Sequence, residues 1–167
     1  MIACSGLLLN AFSEQDIAAR EREAVALAGY ALREPVIAPD TETRLASRLK
    51  WLAEAAIRNT PATSVHVFRG DNILCQAGVV SAESSKTSAL PATRRPILEE
   101  SALTGQEVYL PDLQILPGKV EFSFLPLNCQ SVLIVPTKDM VVVVGTNKAK
   151  SMTVEDLGRI RVMAKML

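Results

Sequence analysis

The first third of the chain repeats its apolar residues with the spacing of α-helices. An apolar run, MIACSGLLLNAF, opens the sequence, and Ser13 with Asp16 then matches a capping box. Apolar residues recur at helical spacing from there until Pro35. This pattern predicts an amphipathic helix over residues 14–33, which Pro35 would end.

A second apolar stripe predicts a second helix, which begins near Asp40 or Thr41 and ends before Pro61. The only tryptophan, Trp51, lies beside this stripe, so we expect it to pack in the core or at its edge. The residues of the stripe are Leu45, Leu49, Leu52 and Ala56.

The spacing changes to that of β-strands in the middle of the chain. The stretch SVHVFRGDNILCQAGVV predicts two strands joined by a turn at Gly70-Asp71-Asn72. The stretch SAESSKTSALPATRR then predicts a loop, because it is rich in Ser, Thr, Ala and Pro and has no period. Pro96 and Gly105 mark the ends of a short helix, and EVYLPDL predicts a short strand that ends at Pro111. The stretch LPGKVEFSFLP fits either a strand or a helical turn.

Two β-branched runs dominate the last third of the chain. The stretches CQSVLIVP and MVVVVGTN, separated by TKD, predict a buried antiparallel hairpin that is apolar on both faces. Thr153 with Asp156 matches another capping box, which would open a closing helix. The order of elements predicts an α+β domain with a central antiparallel sheet and terminal helices packed on one face. The apolar stripe of the closing helix is Leu157, Ile160, Ala164 and Leu167.

Charge and cysteine content exclude some classes of function. The chain has 18 basic and 18 acidic side chains and no basic run with interleaved aromatic residues, which argues against nucleic-acid binding. Cys4, Cys75 and Cys129 are far apart and form neither a CxxC pair nor a zinc-ligand spacing. We therefore expect no metal site and a reducing compartment, although the spacing still permits one disulfide.

Two residues are candidates for a cofactor site, Cys129 and His66. Cys129 lies between the neutral residues Asn128 and Gln130, and a reactive thiolate needs an electropositive site, so a structural role at the start of a strand is the preferred interpretation. His66 alternates with valines on its strand, so it points away from the core if the valines face it, and it could then be an axial haem ligand. The simpler interpretation is an exposed or hydrogen-bonded strand histidine. No set of residues predicts a catalytic site.

The stretches GQEVYLPDL, LPLNCQSVLIVPTKDMVVVVGTN and SMTVEDLGRIRVMAKML give residues 40–167 a resemblance to GAF domains. The resemblance implies a sheet of five or six antiparallel strands, with the first and last helices on one face and a ligand pocket often on the other. Bilin-binding members attach the chromophore through a cysteine, commonly followed by histidine, and cyclic-nucleotide binders carry an NKFDE-type motif; neither occurs here. Free methionine sulfoxide reductases of this fold use clustered cysteines, which this chain also lacks.

The apolar start, together with NCQSVLIVPTKDMVVVVGTN and MTVEDLGRI, resembles the family of proteins for cofactor assembly of complex C. The resemblance implies an assembly factor for the cytochrome b6f complex of chloroplasts and cyanobacteria. Such a factor is not an enzyme: it assists covalent attachment of c-type haem to cytochrome b6. The implied partners are a paralogous assembly protein and apocytochrome b6. No intrinsic cofactor is implied, and haem would be cargo.

The family resemblance also implies a thylakoid membrane protein whose soluble domain lies in a reducing compartment such as the stroma. Residues 1–35 would then hold the apolar segment and amphipathic helix, and residues 36–167 the GAF-like domain. Residues 1–12 fit either a short packing segment or the cut end of a membrane helix. The alternative function is a GAF-type small-molecule sensor or thiol redox domain, whose redox form predicts two thiols within disulfide reach.

Overall fold

The computed structural model describes residues 23–82, 84 and 95–167, which form an antiparallel sheet with helices on both faces. The helices are α1 (Thr43–Asn59), α2 (Pro96–Thr104) and α3 (Val154–Ala164), and 3₁₀ turns span Leu113–Ile115 and Pro117–Phe122. The strands are β1 (Tyr30–Ala31), β2 (Val36–Ile37), β3 (Ala62–Arg69), β4 (Asn72–Val80), β5 (Val108–Leu110), β6 (Ser131–Pro136) and β7 (Val141–Thr146).

The strands lie in the order β1, β4, β3, β7, β6, β5, and β2 also pairs with β4. All described pairs are antiparallel. The predicted α+β class and both predicted hairpins are confirmed. Within the described residues the sheet has seven strands rather than five or six, because two strands of two residues each pair with β4.

One face of the sheet packs against α1 and α3, and we call it the helix side. Leu49, Leu52 and Ala56 of α1 are buried as predicted and meet Val65 and Val67 of β3 in one core cluster. The α3 helix begins at the predicted capping box, in which the Asp156 amide donates to Thr153 Oγ1 (3.2 Å) and Asp156 Oδ2 accepts from the Thr153 amide (3.0 Å).

The opposite face is covered by α2, the two 3₁₀ turns and segment 123–130, which we call the cover layer. The ambiguous stretch LPGKVEFSFLP belongs to this layer and forms a 3₁₀ turn, not a strand. The predicted short helix is confirmed, with Pro96 at its first position and Gly105 (φ 68°) at its end. A second core cluster lies between the sheet and the cover layer, and its buried members are Phe68, Ile73, Leu98, Leu113, Phe122, Phe124, Leu125, Cys129, Val132, Ile134 and Val143.

The prediction of a helix over residues 14–33 is wrong for residues 23–33. This segment is extended and ends in β1, which pairs with β4. Gly29 approaches β4 so closely that a Cβ atom there would lie 2.3 Å from the Val80 carbonyl oxygen. Pairing with a distant sheet edge therefore overrides the local helical pattern, and α1 takes the place of the predicted N-terminal helix beside α3.

Several predictions fall on residues outside the described part of the chain. These are the capping box at Ser13, the start of the predicted helix, the two interpretations of residues 1–12, and most of the predicted loop after β4. In the described part, no helix has both the length and the apolar character that a bilayer-spanning helix needs.

Candidate functional site

His66 lies in the middle of β3 with its ring on the cover side of the sheet. Its cross-strand neighbours are Gln76 on β4 and Val143 on β7. Val65 and Val67 belong to the helix-side core, so the histidine does point away from the valines. The side chain is fully buried, which corrects the expectation of an exposed strand histidine.

The imidazole of His66 lies in an aromatic environment. It is nearly parallel to the Phe68 ring, with centroids 6.0 Å apart, and meets the Phe124 ring edge-on at 5.2 Å. The two phenylalanine rings contact each other at 4.9 Å. Burial lowers the pKa of His66 to about 3, so the imidazole is neutral at physiological pH.

Both ring nitrogens of His66 lack a hydrogen-bond partner within the described residues. The expectation of a hydrogen-bonded histidine is therefore also wrong. Nearby, Gln76 Nε2 donates to the Ser84 carbonyl oxygen (3.1 Å), while Ser84 Oγ is buried without a partner in the same part of the chain. An unsatisfied buried polar group costs about 1–3 kcal/mol, so this cluster has hydrogen-bonding capacity that the described protein groups do not use.

Cys129 is buried at the start of β6, at the edge of the cover-side core. Its Sγ atom lies 3.5 Å from the carbonyl oxygens of Ser131 and Thr146 and packs beside Gly145, where a Cβ atom would come within 2.9 Å of the sulfur. Burial raises the pKa of the Cys129 thiol to about 12. This environment suppresses the thiolate and supports the structural interpretation.

Cys75 lies on the other side of the sheet from Cys129. It packs in the helix-side core, where its Sγ atom is 4.0 Å from the Leu49 carbonyl oxygen, and burial raises its pKa to about 12. Both thiols are free, and a layer of sheet separates them. The prediction of the redox alternative, two thiols within disulfide reach, does not hold for this pair; Cys4 lies outside the described residues.

The whole chain, residues 1–167, matches the CCB2/CCB4 family, which is described by cofactor assembly of complex C. The chain belongs to this family. The chloroplastic protein CCB4 of Arabidopsis thaliana, also named for cofactor assembly of complex C, is 29% identical over 129 residues. The matched region is 72% of this chain but 43% of the Arabidopsis protein, so the chain spans less than half the length of this relative.

A solved structure shares the fold of this CCB2/CCB4 family chain. It is the type II free methionine-R-sulfoxide reductase from Thermoplasma acidophilum, with a TM-score of 0.56 over 74% of this chain and 89% of the reductase. The sequences are 13% identical, so the likeness concerns the fold alone.

The cover side of the CCB2/CCB4 chain brings the two predicted candidates, His66 and Cys129, to the same face of the sheet. No hydrogen bond joins them among the described residues, and both are enclosed by phenylalanine and leucine side chains. Within the described residues, no group of three His, Cys, Asp or Glu side chains is placed to hold a metal ion.

Asn128 is a further residue of this face, one that the sequence analysis treated only as a neutral neighbour of Cys129. Its Nδ2 donates to the Ala26 carbonyl oxygen (2.6 Å) and its Oδ1 accepts from the Ala28 amide (2.7 Å). One carboxamide thus imitates a strand partner and fastens the N-terminal segment about 100 residues away. No local pattern in the sequence signals a contact of this separation.

Glu121 and Arg95 hold the cover layer to the end of the β3–β4 hairpin. Glu121 Oε2 accepts from the Ile97 amide (3.1 Å) in the first turn of α2, while burial raises the pKa of this carboxyl group. Arg95 forms an ion pair with Asp71 in the hairpin turn. These contacts fix α2 over the sheet, so the two acidic residues have a structural role.

Proposed function

We propose that this chain is part of an assembly factor for the cytochrome b6f complex, which assists covalent attachment of c-type haem to cytochrome b6 through protein–protein contacts. The family match over residues 1–167 carries this proposal, because the family is described by cofactor assembly of complex C. The proposed partners are a paralogous assembly protein and apocytochrome b6. Haem is cargo of the pathway and not a resident cofactor.

The proposed location is the thylakoid membrane, with this domain on the stromal side. The Arabidopsis relative is chloroplastic, which supports the organelle. Membrane association is assigned to the longer full-length protein, in keeping with the 43% of the relative that this chain matches.

The fold likeness to a free methionine-R-sulfoxide reductase supports a GAF-like domain, since reductases of this kind have the GAF fold that residues 40–167 resemble in sequence. Their chemistry requires clustered cysteines. Here Cys75 and Cys129 lie on opposite faces of the sheet, and burial raises the pKa of each thiol to about 12. These observations favour a binding domain over a thiol enzyme.

The proposal is tested with the full-length protein in its own organism. Loss of the gene is expected to abolish the haem-peroxidase stain of cytochrome b6 in denaturing gels. Reintroducing the full-length protein with Cys75→Ser and Cys129→Ser is expected to restore the stain, because neither thiol takes part. A gene deletion that leaves cytochrome b6 fully haem-stained would contradict the assembly role, and failure of a stable double variant to restore the stain would favour the thiol redox alternative.

A second candidate is a ligand-binding or sensor function at His66. It is favoured by the two unpartnered ring nitrogens and by Ser84 Oγ beside Gln76. Hemin is a suitable probe, because an exposed imidazole binds haem iron and shifts its Soret band. Under the assembly proposal, wild type and His66→Leu give the same hemin titration, since Phe68 and Phe124 enclose the ring. A Soret shift that His66→Leu removes would establish the second candidate instead.

A further inference from the structure

The outer surface of α1 and α3 contains an open groove. The two helices run antiparallel: Arg159 Nη1 donates to the Asn59 carbonyl oxygen (3.3 Å) at one end, and Arg48 Nη1 donates to the Leu167 carbonyl oxygen (3.4 Å) at the other. The groove between them has a volume of about 470 Å³. Its lining residues are Ser47, Arg48, Trp51, Met163, Met166 and Leu167.

Large apolar side chains stay exposed along this groove and beside it. Trp51 is 49% exposed, Met166 56% and Val162 57%, although the neighbouring residues Leu49 and Leu52 are completely buried. Tryptophan is enriched among residues that carry binding energy, and methionine adapts to varied partner surfaces. An exposed cluster of this kind on a helix pair is typical of a binding groove for another helix.

The helix pair is basic, although the chain as a whole is balanced at 18 basic and 18 acidic side chains. Only one acidic residue of the two helices, Glu155, is exposed; Glu54 is half-buried and Asp156 buried. Within the described residues, three of the basic side chains have carboxylate partners: Lys50 with Glu34, Arg159 with Glu155 and Arg161 with Glu107. The exposed basic residues of α1, α3 and the residue that follows α3 are Arg44, Arg48, Lys50, Arg58, Arg159, Arg161 and Lys165.

Four of these cations, Arg44, Arg48, Arg58 and Lys165, have no carboxylate within ion-pair distance in the described part of the chain. Arg44, Arg48 and Arg58 share one side of α1 with Trp51, because the spacings of four, three and seven residues return to the same helical face. The groove therefore combines an apolar floor with an unneutralised basic rim.

We propose that this groove binds an amphipathic helix of another protein, one whose apolar stripe contacts Trp51 and Met166 and whose flanking Asp and Glu side chains pair with Arg44 and Arg48. The charge selects this occupant. A two-fold contact with a second copy would bring the same basic surfaces together, which is repulsive. A bilayer is disfavoured because Trp51 and Met166 lie along a concave groove, into which a flat surface cannot reach.

The inference rests on the proposed function only in taking the bound helix to belong to an assembly partner. The basic rim would accelerate association and make it sensitive to salt, since rim charges act mainly on the association rate. The apolar floor would supply most of the affinity, with Trp51 as the anchor.

Trp51 is the only tryptophan of the chain, so its fluorescence reports directly on the groove. The probes are two model helices of about 20 residues, long enough to fold in isolation, with identical leucine stripes. One carries Glu on both sides of the stripe and the other carries Lys. We expect the Glu-flanked helix to shift the Trp51 emission to the blue, with an affinity that falls at high salt, and the Lys-flanked helix to leave it unchanged.

Charge reversal separates the rim from the fold. Arg44→Glu with Arg48→Glu is expected to weaken binding of the Glu-flanked helix at least tenfold, and Lys at both positions to retain it. The matched control is Arg33→Glu with Lys119→Glu, which changes the net charge equally at exposed positions away from the helix pair. Trp51→Ala, followed by calorimetry, is expected to weaken binding about thirtyfold. Equal binding by the rim variant and its control would overturn the proposal.

Two further outcomes would also overturn it. One is a Trp51 shift with phosphatidylglycerol vesicles but with neither peptide, which would make the surface a membrane contact. The other is a concentration-dependent dimer that Trp51→Ala abolishes, which would make the occupant a second copy. In the haem-attachment assay, a rim variant that restores full staining refutes the assembly partner in this groove, whereas an unaffected gene deletion refutes the proposed function alone.

Discussion

His66 has a polar ring in a layer of phenylalanine side chains, and no described protein group bonds to either nitrogen. Burial is the cause of its low pKa, about 3 against an ordinary value of 6.5. In the unfolded chain the ring regains its ordinary pKa. Between these two values the unfolded state binds a proton that the folded state does not, so stability must rise with pH across this range.

The expected result is a loss of about 2 kcal/mol in unfolding free energy between pH 7.5 and pH 5, from the general slope of about 1.4 kcal/mol per unit. His66 is the only histidine, so His66→Leu should remove this contribution. The measurement is urea unfolding of both proteins at the two pH values. The carboxylates remain in both proteins, so the difference between them isolates His66. Equal pH dependence in wild type and variant would mean that the folded protein protonates His66 as readily as the unfolded chain.

The two described thiols should be inert in the folded protein. Thiolate is the reactive form, and burial raises the pKa of both Cys75 and Cys129 to about 12. In a Cys4→Ser background, Ellman's reagent is expected to label neither thiol of the native protein and both thiols in concentrated urea. Labelling of Cys129 at the rate of a free thiol would contradict its structural role and would reopen the redox alternative.

At the scale of elements, the N-terminal segment depends on contacts made far away in sequence. The Val25 amide donates to the Asn147 carbonyl oxygen (2.9 Å), Asn128 bonds to Ala26 and Ala28, and β1 pairs with β4. The hydrogen bonds at Ala26 and Ala28 depend on the Asn128 side chain alone. Its removal should therefore loosen the segment without unfolding the sheet.

Asn128→Ala is expected to lower the opening free energy of the Ala28 amide by about 1–2 kcal/mol, since that amide loses its acceptor. Hydrogen exchange followed by NMR measures this, and the Leu32 amide, which donates to the Gly78 carbonyl oxygen (2.8 Å), serves as the internal reference. Asn59→Ala is the matched variant, because it also removes a carboxamide but one bonded within α1. Faster exchange throughout β4 or β7 in Asn128→Ala would show that Asn128 supports the whole sheet.

The same elements show what the sequence could predict. The β6–β7 hairpin and α3 follow from patterns contained within each element: β-branched runs on a strand buried on both faces, and a capping box before an apolar stripe. Residues 23–33 carry a helical pattern too, but β4 offers them an open edge, and that competing partner lies some 50 residues later. Local periodicity has no access to such a competition.

The candidate site follows the same rule. Alternation along β3 placed the His66 ring on the side away from the valines, because the side-chain period of a strand is two. Its complete burial depends on Phe124, which lies in an irregular segment of the cover layer and reaches the sheet only in three dimensions. The sequence could therefore predict the direction of the ring but neither its burial nor its unpartnered nitrogens.

At the scale of the whole molecule, the central strands β3 and β7 contribute to both cores, so the two layers should unfold together. Phe124 is fully buried on the cover side, and Phe124→Ala is expected to cost about 3–5 kcal/mol. Urea unfolding should then show one transition, at the same midpoint by circular dichroism and by fluorescence of Trp51, which lies on the helix side. Ile160→Ala, on α3, is the matched change and should lower both midpoints together. If Phe124→Ala instead shifts the dichroism alone, the cover layer unfolds by itself, because Trp51 would still report an intact helix side.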